Sequence, residues 1–480
     1  MKKIFLSLAV LVLFVTGVFC KDLPGKTSHY VLENGLNVFI TENHSVPLVF
    51  VEVAVRAGAI TQTKENAGLF HLYEHMMFKG NTKYKSASEV QKAISDMGVA
   101  SWNGSTGIEC VNYFFTIPKD KLQEGLEFWS YAIREPLIEP KELENEKKVV
   151  LSEITGNQND PGRRISSYKS LLLFPNAPYQ LDPAGDPSVV SNATVEDIRK
   201  IQKEYYVSNN AAVFVGGDLD TEKTLEMIKS IYGSWQKGDV PNVTVEQTST
   251  PLDKPKYIVV PYDEISPQIA QVQMVYRGPD SDFDVSATYS ADMLSNYLNN
   301  PESTFKNEMI SDEELMIPNQ DYIWAGYSTQ RRNGTITTGA LLLSPENSLA
   351  ERIQHFYEKF NSIMTEYSKS KKIISKEMKE SILLNIRDDD ILSSETTGGI
   401  LGSLQYWWAD CGVEYYKGYS DNMAKVTNKA ISKMLSKYVV NKNPLIVVMV
   451  NPEVYESQKE EFAKLGFIEM PKENIFWWSK

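Results

Sequence analysis

The sequence predicts an α+β fold in two domains of similar size. The chain has 480 residues, more than one hydrophobic core usually supports, and 42% of them are hydrophobic, which is ample for burial. A polar stretch at residues 236–255 contains three prolines and separates two segments in which strand-like and helix-like patterns alternate. We expect a first domain at residues 21–240, a linker at 241–257 and a second domain at 258–480.

Short apolar runs predict the strands of the first domain. They span residues 30–40 in two pieces, 49–58, 100–106, 111–115 and 211–215. The first two pieces flank Asn34-Gly35, a pair typical of a hairpin turn. Thr194 and Asp197 have the spacing of a capping box and therefore predict the start of a helix before the last strand.

The second segment repeats the order of strands and helices. Strands are predicted at residues 268–276, 334–343 and 445–450, and helices at 282–298 and 348–368. The only histidine of this segment is His355, so we expect no second copy of the metal motif found in the first segment.

The pentapeptide His71-Leu72-Tyr73-Glu74-His75 predicts a metal site in the first domain. Residues four apart lie on one face of a helix, so both imidazoles can reach one ion, and Glu74 can approach a water bound to that ion. The chain has only five histidines, which makes this H-x-x-E-H order uncommon by chance. It favours a metal-dependent hydrolase over the alternative, an ordinary amphipathic helix with two hydrogen-bonded histidines.

A second acidic helix offers the third ligand that zinc needs in a hydrolase, where the fourth position is left for water. Glu146 and Glu153 are two helical turns apart and lie on nearly the same face. One of them can bind the metal while the other supports the site. The alternative for such an acidic pair is a solvated helix face.

With these residues the chain resembles the pitrilysin/insulinase family of zinc peptidases, in which a glutamate ligand follows H-x-x-E-H by roughly 75 residues, with another glutamate about seven residues before it. The resemblance implies one Zn²⁺ per chain, held by His71, His75 and Glu153. It makes Glu74 the general base and Glu146 an acid that supports the ligands. It also implies that each domain is an antiparallel sheet packed with helices, and that the two domains form one half of a clamshell.

The resemblance also makes residues 100–106 an edge strand along which the peptide substrate adds as a further strand. Asn103 and Gly104 are the main-chain contacts expected for that peptide. On local sequence alone, Asn103-Gly104 could also form the turn of a simple hairpin.

The second domain departs from the family at one pair of positions. Family members use an arginine and a tyrosine, about seven residues apart, to polarise the substrate carbonyl. Ile310 and Ile317 occupy these places, or Met309 and Met316 if the alignment shifts by one residue, and none of these side chains can donate a hydrogen bond. We therefore expect this chain to be the zinc-bearing subunit of a heterodimer whose related partner supplies the pair. A homodimer with weaker oxyanion support is the alternative.

Charge and cysteine content limit the other partners. The net charge of −13 disfavours binding to nucleic acid and to anionic membranes. Cys110 and Cys411 lie in different halves of the chain and are too few for a disulfide framework, so both are predicted to be buried thiols.

The N-terminus has the form of an export signal, in which Lys2 and Lys3 precede an apolar run that is short for a membrane span. We expect residues 1–20 to be a signal peptide that is removed; lipid attachment at Cys20 and an uncleaved anchor are alternatives. A glycan at Asn103 would obstruct the expected substrate strand, which favours a bacterial periplasm over a eukaryotic secretory pathway.

The expected function is that of a zinc-dependent endopeptidase that hydrolyses peptides or unfolded segments enclosed in a clamshell chamber. Two alternatives are a processing peptidase for specific precursors and a non-catalytic assembly subunit. The intact Glu74 argues against the assembly subunit. Mitochondrial precursor processing is disfavoured because the N-terminus is not an arginine-rich transit peptide.

Overall fold

The computed structural model describes residues 23–243 and 252–479. Each half of the chain contributes one six-stranded sheet packed with helices, so the predicted α+β fold of two similar domains is confirmed. The predicted signal peptide, Cys20 and much of the predicted linker lie outside the described residues. Within residues 23–243 and 252–479, no helix combines the length and the apolar composition needed to cross a bilayer.

The first sheet has the strand order β1-β2-β6-β3-β5-β4. Its strands are β1 Ser28–Val31, β2 Asn37–Glu42, β3 Leu48–Val55, β4 Ser101–Thr106, β5 Val111–Pro118 and β6 Ala211–Gly217. The helices of this half are α1 Leu69–Met76, α2 Ala87–Asp96, α3 Leu122–Arg134, α4 Pro140–Asn159, α5 Pro161–Leu173, α6 Pro187–Asn192, α7 Val195–Tyr205 and α8 Thr221–Tyr232.

The second sheet has the strand order β12-β7-β11-β8-β10-β9. Its strands are β7 Lys256–Pro261, β8 Ile269–Arg277, β9 Ile323–Ser328, β10 Thr335–Leu343, β11 Leu445–Val450 and β12 Phe467–Glu469. The helices are α9 Val285–Asn299, α10 Thr304–Ile310, α11 Leu349–Lys369, α12 Lys376–Ser393, α13 Thr397–Ala409, α14 Val413–Lys425, α15 Asn428–Tyr438 and α16 Pro452–Lys464. Five strands match the first sheet in order, with β7, β11, β8, β10 and β9 in the places of β2, β6, β3, β5 and β4.

The sheets are mixed, which corrects the expectation of antiparallel sheets. Most neighbours are antiparallel, but β2 pairs in parallel with β6, and β7 pairs in parallel with both β11 and β12. The reason lies in the connections. Strands joined by a tight turn must be antiparallel, whereas β6 and β11 reach their places after long helical excursions that allow either direction.

The local signals in the sequence correspond to real elements. Gly35 has a φ of +80° between β1 and β2, as the predicted hairpin turn requires. The capping box at Thr194 and Asp197 is present at the start of α7. Asn103-Gly104 is not a turn, because both residues lie within β4 and the chain reverses at residues 107–110.

Each half of the chain donates one helix to the sheet of the other half. Helix α13 lies on the first sheet, where the Trp408 ring meets the Phe214 ring edge-on at 6.0 Å between centroids. Helix α5 lies against the second sheet, where Leu173 joins a cluster with Val275 and Val447. The two domains therefore share their hydrophobic cores across the boundary between them.

Candidate active site

Helix α1, which carries the histidine pair, begins at a tightly packed point of the first domain. Gly68 precedes it with a φ of +96°, and a Cβ built on Gly185 would stand 2.1 Å from the Gly68 Cα. The Gly68 N–H donates to the Gln62 Oε1 at 2.7 Å, while the Gln62 side-chain amide donates to the carbonyls of Tyr179 and Asp182. The apolar residues of α1 enter the core, so His71, Glu74 and His75 are left facing a cleft beside β4.

The side chains of the three predicted ligands place one atom each at the corners of a nearly equilateral triangle. His71 Nε2 lies 3.2 Å from His75 Nε2 and 3.4 Å from Glu153 Oε2, and His75 Nε2 lies 3.6 Å from the same oxygen. A tetrahedral zinc with bonds of about 2.0–2.2 Å separates its ligand atoms by about 3.3–3.6 Å. The residues present therefore fit a zinc ion, and Glu153 reaches the histidines because α4 packs against α1.

The electrostatics suit a histidine pair that binds a cation. Burial, followed by the nearby His75, lowers the pKa of His71 to about 4, so this imidazole is neutral and able to act as a ligand at neutral pH. Burial also lowers the pKa of His75, but the hydrogen bond with Glu146 and the carboxylates of Glu153 and Glu74 outweigh it, and the net shift is upward. Acidic groups thus lie near both ring nitrogens of His75, with Glu146 at Nδ1 and Glu153 at Nε2.

Glu146 hydrogen-bonds His75 at Nδ1, the ring nitrogen that faces away from the triangle. Its Oε2 lies 3.1 Å from His75 Nδ1, and its Oε1 lies 2.7 Å from the Lys79 ammonium. When His75 Nδ1 carries the proton that bonds to Glu146, its Nε2 is free to bind a metal. The buried Glu146 thus has the geometry expected of the predicted supporting acid.

Glu74 lies beside the triangle and is only 8% exposed. Burial raises the pKa of its carboxyl, and the hydrogen bond from Thr106 counteracts part of that rise. A carboxylate whose basicity is raised in this way is better able to accept a proton from water. The position and environment of Glu74 therefore match those of a general base.

Strand β4, to which the peptide substrate is expected to add, forms one wall of the same cleft. β4 is the edge strand of the first sheet, and its Asn103 is exposed while Gly104 is half-buried against Glu74. The cleft is also lined by Phe78 and Trp102, whose ring centroids are 5.1 Å apart. An unpaired strand edge beside a metal site is able to accept an extended peptide.

Thr106 is a site residue that the sequence reasoning missed. It lies two positions after Gly104 and bonds to Glu74. The alternation of side chains along a predicted strand was the available signal, since it places residues 104 and 106 on the same face.

Ile310 and Ile317, which the sequence comparison places where the arginine and tyrosine are expected, lie in or against the core of the second domain. Ile317 is buried and Ile310 packs against the same hydrophobic cluster. Arg331, a nearby arginine in the sequence, is engaged elsewhere: its Nη2 donates to Glu109 Oε2 at 2.8 Å, and its backbone N–H donates to Asp410. This arginine joins the two domains of the chain.

A second group of metal-type side chains occurs in the described part of the second domain. Asp312, Glu314 and His355 lie close together at the surface, but the Lys359 ammonium lies 3.2 Å from Asp312 Oδ2. A cation of the protein thus already balances this acid, which leaves the triangle on α1 and α4 as the better metal site.

These features define a class: a helix-borne H-x-x-E-H pair with a glutamate from a second helix is the site of an inverted-motif zinc peptidase. The chain belongs to peptidase family M16. Residues 37–170 match the model described as insulinase (peptidase family M16), and residues 192–371 match the model described as peptidase M16 inactive domain.

Relatives of this chain are named as zinc proteases. The chain is 25% identical to zinc protease PqqE of Helicobacter pylori over 65% of this chain and 69% of that protein. It is 26% identical to the probable zinc protease PqqL of Haemophilus influenzae over 46% of this chain but only 24% of that longer protein. In structure it resembles the first half of the periplasmic protease PqqL from Escherichia coli, with a TM-score of 0.73 and 19% identity over 92% of this chain and 96% of that one.

Proposed function

We propose that this chain is a zinc-dependent endopeptidase that cleaves peptides or unfolded segments. The observation that carries the proposal is the triangle of His71, His75 and Glu153, with Glu74 held beside it. When bound, zinc would lower the pKa of a water molecule on it and polarise the substrate carbonyl. One ion per chain is expected.

The protein's own residues perform the other steps in this proposal. The edge of β4, at Asn103 and Gly104, binds the peptide in an extended conformation and orients the scissile bond. Glu74 accepts the proton of the attacking water at its carboxylate and then gives it to the leaving amine. Glu146 keeps His75 in the tautomer that directs Nε2 to the cleft.

The test is hydrolysis of a mixed pool of unstructured peptides by the purified chain after zinc loading, followed by mass spectrometry. The control is Glu74→Gln, which keeps the shape of the side chain and removes its basicity. We expect cleavage that the control lacks, at a rate limited by the absence of the family's arginine and tyrosine. Equal cleavage by both proteins would contradict the role of Glu74.

The chain is further proposed to act as the metal-bearing subunit of a heterodimer. Ile310 and Ile317 cannot polarise a carbonyl, and Arg331 is engaged with Glu109. A partner of the same family with an arginine and a tyrosine at those places would supply the missing donors across an enclosed chamber. Size-exclusion chromatography and activity assays, with and without M16 proteins encoded beside this chain, test the idea. A homodimer of full activity would refute it.

Export to a bacterial periplasm is proposed from the apolar N-terminus and from the periplasmic relative of similar fold. N-terminal sequencing and mass spectrometry of the protein from its native cells test the proposal. A chain that begins near Lys21 supports signal cleavage, a mass increased by acyl chains indicates lipid attachment at Cys20, and an intact Met1 in the cytoplasmic fraction contradicts export.

A further inference from the structure

The edge strand β4 carries a hydroxyl that binds the proposed general base. Thr106 Oγ1 donates a hydrogen bond to Glu74 Oε2 at 2.9 Å. An ionised carboxylate can only accept hydrogen bonds, so the hydroxyl must be the donor whenever Glu74 is ready to take a proton. Hydrogen bonds to an ionised group are stronger than hydrogen bonds between two neutral groups. One of the two carboxylate oxygens is therefore held by β4.

The other carboxylate oxygen lies against the backbone of the same strand. A Cβ built on Gly104 would stand 2.9 Å from Glu74 Oε1 and 3.3 Å from Glu74 Cγ. Because side chains alternate along a strand, Gly104 and Thr106 share the face that covers α1. The carboxylate is thus confined between a bare glycine and a hydroxyl two residues further on.

Thr106 is itself held in a firm position. It is the last residue of β4, and the turn that follows is closed by a bond of 2.8 Å from the Gly107 N–H to the Cys110 carbonyl. Within that turn, Glu109 bonds to Arg331 of the second domain. Threonine is also β-branched, which restricts rotation about its first side-chain bond. The hydroxyl therefore has little freedom to follow Glu74 if the carboxylate turns away.

We propose that Thr106 is a positioning residue that aligns the Glu74 carboxylate with the edge to which the substrate strand adds. This inference rests on the proposed peptidase function. Substrate binding and alignment of the base then depend on one strand: the open edge of β4 holds the peptide, and its inner face holds Glu74. The hydrogen bond of the hydroxyl goes to Glu74 and not to a residue of the metal triangle, so its role is separate from zinc binding.

The experiment compares Thr106→Val with Thr106→Ser in the full-length, zinc-loaded protein. Valine has the shape of threonine but no donor, whereas serine keeps the hydroxyl. Thr116→Val, the same change on the neighbouring strand β5, is the matched control. For each protein the measurements are kcat and KM on one peptide, zinc content, thermal midpoint, and the position of the Glu74 carboxylate in a crystal structure.

We expect Thr106→Val to lower kcat by about tenfold to a hundredfold, the effect of losing a hydrogen bond to a charged group, with KM and zinc content unchanged. Thr106→Ser should recover most of the loss, and the Glu74 carboxylate should be displaced only in the valine variant. A valine variant with normal kcat and an unmoved carboxylate would overturn the inference, as would a serine variant as impaired as valine. A wild-type protein that cleaves no peptide under any condition would refute the proposed function instead, while the crystallographic comparison would still decide the role of Thr106.

Discussion

Replacing Glu146 by glutamine should weaken zinc binding although Glu146 is not a ligand. Both of its oxygens accept hydrogen bonds: Oε2 from His75 Nδ1 at 3.1 Å and Oε1 from the Lys79 ammonium at 2.7 Å. Glutamine offers only one acceptor oxygen, so its amide must face either the protonated His75 Nδ1 or the Lys79 ammonium. One donor is left facing another donor, and the negative charge behind His75 is lost.

The expected loss is about tenfold to a hundredfold in zinc affinity, which is the usual effect of removing an acid that hydrogen-bonds a ligand histidine. This corresponds to about 1.4–2.7 kcal/mol of binding free energy. Competition titration against a chromophoric chelator at fixed pH measures it. Glu144→Gln is the matched control, because Glu144 is exposed on the same helix and its ion pair, among the residues that the structure describes, is with Lys147.

Equal zinc affinity for wild type and Glu146→Gln would refute the reasoning, because it would mean that His75 is oriented without Glu146. The same loss in Glu144→Gln would instead indicate that the general negative charge of α4 matters, and not the hydrogen bond. A lowered thermal midpoint of the metal-free variant would assign the effect to folding, so that measurement accompanies the titration.

Three further predictions concern the cleft and the second domain. Gly104→Ala should lower kcat by at least about tenfold without loss of folding, because the new methyl group meets Glu74. The control is Gly326→Ala, on the equivalent strand β9 with open space around it, which should have no effect. Equal activities of the two variants would contradict the packing argument. Trp408→Ala should lower the free energy of unfolding, measured by denaturant titration, by about 3–5 kcal/mol, because a buried ring that joins α13 to the first sheet is removed. A decrease below about 1 kcal/mol would contradict a core shared by the two domains. Burial raises the pKa of Asp292 to about 7, so folding keeps this carboxyl protonated while the unfolded chain releases the proton from about pH 4 upward. The stability it contributes is therefore lost as the pH rises from about 4 to 7, and the thermal midpoint of Asp292→Asn should fall less than that of wild type between pH 5 and pH 8; identical pH profiles would contradict this.

The exchange of helices between the two halves has a consequence for folding. Since α13 completes the first sheet and α5 completes the second, neither half buries all its apolar surface alone. The half-buried Arg56 guanidinium lies 4.2 Å from the centroid of the Trp408 ring and donates to the Trp408 carbonyl, which adds a polar contact to the same junction. We expect residues 23–243, expressed alone, to expose the sheet face that α13 covers and to be poorly soluble.

The sequence by itself determined the elements that depend on neighbouring residues. The spacing of His71, Glu74 and His75 places them on one helical face wherever that helix lies, and the Asn34-Gly35 pair and the Thr194 capping box act within a few residues of themselves. The spacing of Glu146 and Glu153 made them candidates, but the resemblance to a known family was needed to assign Glu153 as the ligand and Glu146 as the supporting acid.

Only the tertiary structure decided which elements meet. It places Thr106 against Glu74, engages Arg331 with Glu109, pairs β2 in parallel with β6, and lays α13 on the opposite sheet. The physical reason is that hydrophobic periodicity states which face of an element is buried but not what covers it. The covering partner is selected by the packing of the whole chain, in which residues distant in sequence compete for the same surface.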